Sequence, residues 1–328
     1  MSNDKKIIFV FTKDRPLILK DTLSQIINTD ISMFIIDDSF HESNQKNNRE
    51  LLKHIPNGIY SGKKEFNEFA ISHNLVLNGF SSVYRELGNK EWNLGYARNY
   101  ALFLSQIYNA NKVLFIDDDI EIPNEKIIVN SFELLEQFNF VGASIGGMID
   151  DSLLGYISND LGLIDNDERT LSGGFLAFNR KKIRFPFLNI YNEDWIWLFL
   201  HSNDEKYLQT ECVIQKNTNP YIGYENKILF QEYGEIFIKG ILLAKRKSNF
   251  ELLSSKSFWE NVIQERKVYL SELYDFANIS NQKDFQTMIK WLLQNYSQYE
   301  SCYFSKKIRD LLNIKQKFEK HIQLNINQ

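Results

Sequence analysis

Cysteine is nearly absent from this sequence: Cys212 and Cys302 are the two in a chain of 328 residues. Neither lies in a CxxC pair or beside a histidine cluster, so a disulfide framework and a cysteine-based zinc site are both improbable organising features. Long apolar runs are missing too, and no stretch approaches the ~18 residues needed to span a bilayer. The opening, Met1 to Lys6, runs straight into an apolar strand without a signal-peptide core or cleavage site. Strong positive charge is also lacking. The formal net charge is −4, which argues against a general nucleic-acid binder, because that role draws on a basic surface. No internal repeat and no low-complexity linker divides the chain. Together these absences lead to the expectation of a soluble, cytoplasmic protein.

What is present is enough apolar material for a sizeable core, with 43% hydrophobic residues. Lys6 to Thr12 is an apolar run that reads as a buried strand. Pro16 then suits the first turn of a helix, where its missing N–H costs nothing, and Leu17, Leu19, Leu23, Ile26 and Ile27 supply a helical stripe. Ser32 to Ile36 reads as a second strand, so the chain opens with a strand–helix–strand unit and a parallel sheet. His41 to Asn57 reads as a loop or solvated helix, Lys63 to Phe80 as a helix, Ser81 to Arg85 as a short strand. Asn93 starts a turn into an amphipathic helix. A helix from Pro123 to about Phe138, a glycine-containing strand over Val141 to Ile149, and an irregular acidic stretch from Asp150 to Thr170 follow. Leu171 to Arg180 pairs a glycine turn with a strand. Phe185 to Asn192 reads as a loop, with Asn192 an N-cap for a helix beginning at Glu193 and Asp194, which the helix dipole favours there.

The stretch Lys112 to Glu121 carries the strongest chemical signal. Val113 to Ile116 reads as a buried strand that ends in Asp117, Asp118 and Asp119. Adjacent carboxylates repel, and a buried anion is costly unless paired. A divalent cation such as Mg²⁺ or Mn²⁺ relieves that cost through oxygen ligands shared with phosphates. Strand alternation lets Asp117 and Asp119 face one site with Asp118 turned elsewhere. Ligands in open α/β sheets sit at the carboxyl ends of strands, where these residues fall. A solvated acidic turn is the other reading of the same three residues.

Several spaced features then line up: Thr12-Lys-Asp-Arg15-Pro16, Asp37-Asp38, Asn93-Leu-Gly95-Tyr-Ala97-Arg98-Asn99, Asp117 to Asp119, Gly173-Gly174, and Glu193-Asp194-Trp195-Ile-Trp197. Their order resembles the nucleotide-sugar glycosyltransferases of the GT-A fold, especially the large family of inverting family-2 enzymes, over Lys5 to His201. The resemblance implies a Rossmann-like, mostly parallel sheet flanked by helices. It implies that Thr12 and Arg15 lie against the nucleotide and that Asp38 contacts its base or ribose. Arg98 and Asn99 would hold the nucleotide-sugar, although this stretch is two residues shorter than the family's between glycine and alanine. Asp117 and Asp119 correspond to the DxD motif, which binds the metal and the donor. Gly173 and Gly174 would lie near sugar and acceptor. Asp194 would be the general base that deprotonates the acceptor, with Glu193 orienting it. Such direct displacement inverts the anomeric centre. His201 reads two ways, as a third metal ligand or as a satisfied structural residue on an apolar helix.

The implied cofactor is Mn²⁺ or Mg²⁺, and the donor a nucleoside-diphosphate sugar, with uridine diphosphate preferred. The acceptor is open between a glycan, a lipid-linked sugar and a peptide. A sugar nucleotidyltransferase is a competing reading, against which stands the absence of a glycine-rich loop after the first strand. A catalytically inactive sugar- or nucleotide-binding scaffold is another. Residues 1–224 are expected to form the catalytic domain and residues 225–328 a helical region. Its apolar stripes include Leu229, Tyr233, Ile236 and Phe237, then Trp259, Val262 and Leu270, then Phe285, Ile289 and Leu292, then Ile308 and Leu311. The basic tail after Phe304 permits peripheral contact with an anionic membrane. A homo-oligomer interface or plain packing through these helices explains the same pattern.

Overall fold

The structure, a computed structural model, describes residues 5–26, 29–72, 93–146, 152–161, 171–201, 207–216 and 224–323. The chain opens with β1 (Lys5–Thr12), α1 (Pro16–Ser24) and β2 (Ser32–Asp37), and β1 and β2 pair in parallel as expected for that unit. α2 (Glu42–Leu51) occupies the polar stretch, β3 (Gly58–Gly62) adds a third parallel strand, and α3 (Lys63–Ser72) follows at once. The strand expected over Ser81 to Arg85 lies outside the described residues. α4 (Leu94–Ile107) is capped by Asn93, whose side chain accepts from the Tyr96 amide, and leads into β4 (Ala110–Asp117).

Beyond β4 come the two-residue β5 (Ile120–Glu121), α5 (Lys126–Leu134), β6 (Phe140–Gly146), α6 (Leu153–Asp160), β7 (Phe175–Asn179), α7 (Glu193–His201) and β8 (Tyr207–Gln215). Among the described residues eight strands form one sheet in the order β3-β2-β1-β4-β7-β6-β8-β5. The β3-β2-β1-β4 half is parallel, β7 runs antiparallel to both β4 and β6, and β8 returns parallel to β6. Four elements differ from the sequence reading, among them β3 and the two-residue β5, neither of which was expected. α6 lies within the stretch expected to be irregular, and β8 went unread because its polar Gln209, Thr210 and Glu211 break an apolar run.

Period-two alternation sorts the central strands onto two cores. Ile7, Phe9, Phe11, Phe34, Val113 and Phe115 face one side with α4 and the later helices; Ile8, Val10, Met33, Ile35, Leu114 and Ile116 face the other with Leu19, Leu23, Ile127 and Phe132. Leu17, counted in the α1 stripe, is instead 78% exposed. The four C-terminal stripes become α8 (Tyr224–Arg246), α9 (Lys256–Ile279), α10 (Lys283–Gln294) and α11 (Ser301–Gln323). They share a hydrophobic core with the sheet: Phe318 of α11 meets Phe103 of α4 edge-on at 6.4 Å, and Gly234 of α8 lies so close to the Tyr191 backbone that a Cβ there would press into its carbonyl. Among the described residues no helix is long and apolar enough to cross a membrane.

Candidate active site

Three parallel strands, β2, β1 and β4, lie side by side, so their carboxyl ends share one edge of the sheet. Thr12 sits opposite Asp37 and Phe11 opposite Asp117. The Asp38 amide donates to the Thr12 carbonyl at 2.9 Å, and the Asp118 amide to the Phe11 carbonyl at 3.0 Å. Sequence positions more than 100 apart therefore meet through strand register alone.

The acidic run is divided differently from the alternation expected of a strand. β4 ends at Asp117 and a turn carries Asp118 and Asp119, so period-two geometry stops there. Asp118 is fully buried; it accepts from Thr12 Oγ1 at 2.6 Å and pairs with Arg15 Nη2. Asp119 shares that arginine, with Nη1 at 3.1 Å from its Oδ2. Asp117 turns away to a different arginine, Arg98. Burial pushes the Asp118 carboxyl up to about 7, offset in part by Arg15 and Thr12, and the Asp117 carboxyl up to about 6, offset in part by Arg98. For Arg15, burial acts to lower the pKa, but Asp118 and Asp119 more than reverse it and hold it raised.

Arg98 is the hub of the second cluster. It projects from α4, is 1% exposed, and donates through Nη2 to both Asp117 oxygens at 3.2 Å. Its Nη1 lies 2.9 Å from Glu193 Oε1. Asp194 stands beside it: Asp194 Oδ2 accepts from the Gly173 amide at 2.6 Å, and Oδ1 from the Trp195 amide at 2.8 Å. A Cβ on Gly173 would collide with the Arg98 guanidinium and come within 2.6 Å of Asp194 Cβ, so the close approach of turn, arginine and helix requires glycine there. Gly174 uses its carbonyl to accept from the Asp117 amide at 3.0 Å, tying the turn to the end of β4. Burial raises the Glu193 pKa, Arg98 opposes that, and the neighbouring Asp194 adds to it.

At the β1–β2 side, Asp38 is held by Lys13 Nζ at 3.0 Å and Lys63 Nζ at 3.2 Å. Both ammonium groups also lie over the half-exposed Phe40 ring, at 4.4 and 4.2 Å from its centroid. Burial raises the Asp38 pKa, and the two lysines act against it. Lys13 and Lys63 were not among the residues singled out from sequence. Each is the first residue after a parallel strand, β1 or β3, and that position was the available signal. Asp14, at φ 54°, anchors the same turn by accepting from the Phe40 and His41 amides.

Three expectations are corrected. Asn99 does not face the site: its side-chain amide brackets the Phe187 backbone, donating to the carbonyl at 2.9 Å and accepting from the amide at 2.8 Å. His201 is buried among Phe140, Phe185 and Trp197. The Trp197 carbonyl can only accept, so Nδ1 carries the proton in their 2.7 Å bond, and Nε2 accepts from the Arg184 amide at 2.9 Å. Both ring nitrogens are thus occupied, and burial drops the pKa to about 3. The ligand reading of His201 gives way to the structural one. Asn192 does not cap α7 with its side chain: it lies at φ 59° and donates to Glu235 at 2.7 Å. Trp197 is core, stacked on Phe187 at 4.3 Å.

For a metal, the donor set is partial. Among the described residues no group of three His, Cys, Asp or Glu side chains is arranged to hold an ion. Asp119 Oδ1 is nevertheless buried without a hydrogen-bond partner among the described residues, and Asp117 keeps 21% side-chain exposure. Two carboxylates fit a Mg²⁺-type ion that takes its remaining ligands from phosphate and water. They do not fit an ion caged by protein alone.

No family model and no curated protein sequence matches the chain. Its fold is similar to solved structures. Glucosyl-3-phosphoglycerate synthase from M. tuberculosis aligns at TM-score 0.48 and 12% identity, over 74% of this chain and 81% of that one. A structure from Desulfovibrio desulfuricans G20, described as a nucleotide-diphospho-sugar transferase, aligns at TM-score 0.40 and 9% identity, over 66% and 83%. The 4-diphosphocytidyl-2C-methyl-D-erythritol synthase of Anaerococcus prevotii DSM 20548 aligns at 0.41 and 12%, over 71% and 96%. The chain's own architecture is a mixed, mostly parallel α/β sheet flanked by helices, followed by a helical C-terminal region.

Proposed function

We propose that this protein is a glycosyltransferase that moves a sugar from a nucleoside-diphosphate sugar, with uridine diphosphate the preferred carrier, to a glycan, lipid-linked or peptide acceptor. The carrying observation is the convergence of Asp117, Glu193 and Asp194 on Arg98 at the carboxyl edge of the sheet, beside Arg15 and the lysine-held Asp38. Catalysis is assigned to residues 1–224, with the helices from 225 on as packing support.

Asp194 is the general base: as the acceptor hydroxyl oxygen bonds to the anomeric carbon, its proton passes to the Asp194 carboxylate, the bond from that carbon to the diphosphate breaks, and the nucleoside diphosphate leaves with the electron pair. Attack opposite the leaving group inverts the centre. Glu193, held by Arg98, orients the acceptor. Asp38, Thr12, Lys13 and Lys63 are assigned to the nucleoside end. Arg15 faces the diphosphate, where a fixed guanidinium counters developing negative charge. Asp117 and Asp119 would hold a divalent cation, which when bound supplies further neutralisation of the diphosphate. Gly173 and Gly174 line the sugar.

A thermal-shift series with UDP, GDP, dTDP and their sugars, with and without Mn²⁺, tests this reading. A melting shift with one nucleotide that depends on Mn²⁺ and disappears in Asp119→Ala is the expected outcome. Failure of every nucleotide to shift the melt, with or without Mn²⁺, overturns it. One observation favours a binding-only protein: the acids of the site are already paired with Arg15 and Arg98. Nucleotide binding with no release of UDP from UDP-sugars would select that alternative.

A further inference from the structure

The strongest polar network outside the site joins the helical region to the first residue before Glu193. Glu232 and Glu235, both on α8, face Arg266 of α9. Arg266 grips Glu232 with two nitrogens, Nε at 3.0 Å from Oε1 and Nη2 at 3.1 Å from Oε2, and Tyr296 Oη donates to Glu232 Oε1 at 3.1 Å. Arg266 Nη2 also lies 3.6 Å from Glu235 Oε2. The other Glu235 oxygen accepts from Asn192 Nδ2 at 2.7 Å. Asn192 is buried, left-handed, and the residue on which α7 begins, since its carbonyl accepts from the Ile196 amide at 3.0 Å. Gly234, next to Glu235, permits the near-contact of α8 with Tyr191 that brings the carboxylate within reach.

We propose that Glu235 is a positioning residue: through Asn192 it sets the start of α7 and thereby the placement of Glu193 and Asp194 against Arg98 and Gly173. This rests on the proposed roles of that pair. Asn192 is held in a backbone conformation that L residues adopt sparingly, so its side-chain anchor fixes the angle at which α7 leaves the turn. Buried charge-assisted hydrogen bonds are short-range and directional. A change at Glu235 therefore reaches Asp194 as a displacement, without altering any group that touches the substrate.

Three full-length variants test the assignment. Asn192→Gly removes the donor while glycine tolerates the left-handed conformation. Glu235→Ala removes the acceptor, and Glu235→Gln keeps an oxygen that can accept from Asn192. Hydrogen–deuterium exchange over residues 190–201 reads how firmly the start of α7 is held and needs no substrate. The expected result is faster exchange across α7 in Asn192→Gly and Glu235→Ala, with Glu235→Gln close to wild type. UDP-glucose hydrolysis provides the second readout: kcat falls about tenfold in the first two variants at nearly unchanged KM, and Glu235→Gln restores it. Unchanged exchange in Asn192→Gly overturns the proposal. So does a parallel loss of melting temperature and turnover in all three variants, Glu235→Gln included, because that pattern belongs to a packing role. If the wild type hydrolyses no UDP-glucose, the exchange arm still decides the positioning role, and the transferase reading is answered separately.

Discussion

Arg98 and Arg266 each hold two carboxylates away from bulk solvent, and they are built in opposite senses. In the sheet-edge cluster the arginine lies deepest: its side chain is 2% exposed, while Asp117 and Glu193 keep 21% and 12%. In the helical cluster the acids lie deepest: Glu232 and Glu235 are 0% and 6% exposed beneath an arginine at 12%. The helical cluster is a closed charge network. Its acids meet arginine, tyrosine and asparagine and are nearly closed to solvent. The sheet-edge cluster presents its acids outward over a cation that cannot move, and among the described residues Arg98 Nε has no hydrogen-bond partner. Buried ion pairs by themselves say little about function. Which partner faces solvent separates a site from a staple.

Breaking the open cluster at its proposed proton acceptor has the largest expected effect. Asp194→Asn should lower turnover by about 10²–10⁴ with little change in melting temperature, measured as UDP release from the donor that the thermal screen identifies. Removing the arginines tests the comparison itself. Arg266→Met strands Glu232 in the interior and should cost about 3–5 kcal/mol in urea unfolding, with partial recovery when Glu232→Gln is added. Arg98→Met should also destabilise, but there Mn²⁺ should restore part of the melting temperature, since the acids are open to it. Equal insensitivity of both variants to Mn²⁺ would erase the distinction drawn between the clusters.

Gly173→Ala forces a Cβ against the Arg98 guanidinium and Asp194; an overpacking cost of about 1–3 kcal/mol is expected, together with reduced turnover. Titration gives a smaller effect. Asp117 and Asp118 have folded-state pKa values of about 6 and about 7 against an ordinary 3.8, so between those limits the folded chain binds more protons than the unfolded chain. Stability from these groups is full below about pH 4 and is lost as pH rises through their folded values. Wild-type melting temperature should therefore drop from pH 5 to pH 8 on account of them, and Asp118→Asn should flatten the slope. Smallest of all, His201→Gln should leave any Mn²⁺-dependent shift unaltered, because neither ring nitrogen is available to an ion.

Much of the sheet was legible because its signal is local. The apolar runs at Lys5–Thr12, Ser32–Asp37 and Ala110–Asp117 alternate cleanly between two cores, and the four late stripes became four helices. β8 was not legible, since a strand that carries glutamine, threonine and glutamate is recognised only by the neighbour it pairs with. At the site, Thr12, Arg15, Asp38, Arg98, Asp117 to Asp119, Gly173, Glu193 and Asp194 do assemble in adjoining clusters. Asn99, next to Arg98 in sequence, points to the Phe187 backbone instead, because successive helical residues project about a quarter-turn apart. Lys13 and Lys63 escaped notice because lysines after strands are common, and only the folded chain brings these two together on Asp38 and Phe40.

The sequence by itself determined where strands stop and where acids, glycines and helix starts fall. Those depend on side-chain periodicity and backbone chemistry within a few residues. The tertiary structure alone decided that Arg15 takes Asp118 and Asp119 while Arg98 takes Asp117 and Glu193. It alone turned His201 into a core residue and linked Glu235 to Asn192 across 43 positions. Each of these pairings joins segments distant along the chain, and no local pattern encodes which charge a folded neighbour will present.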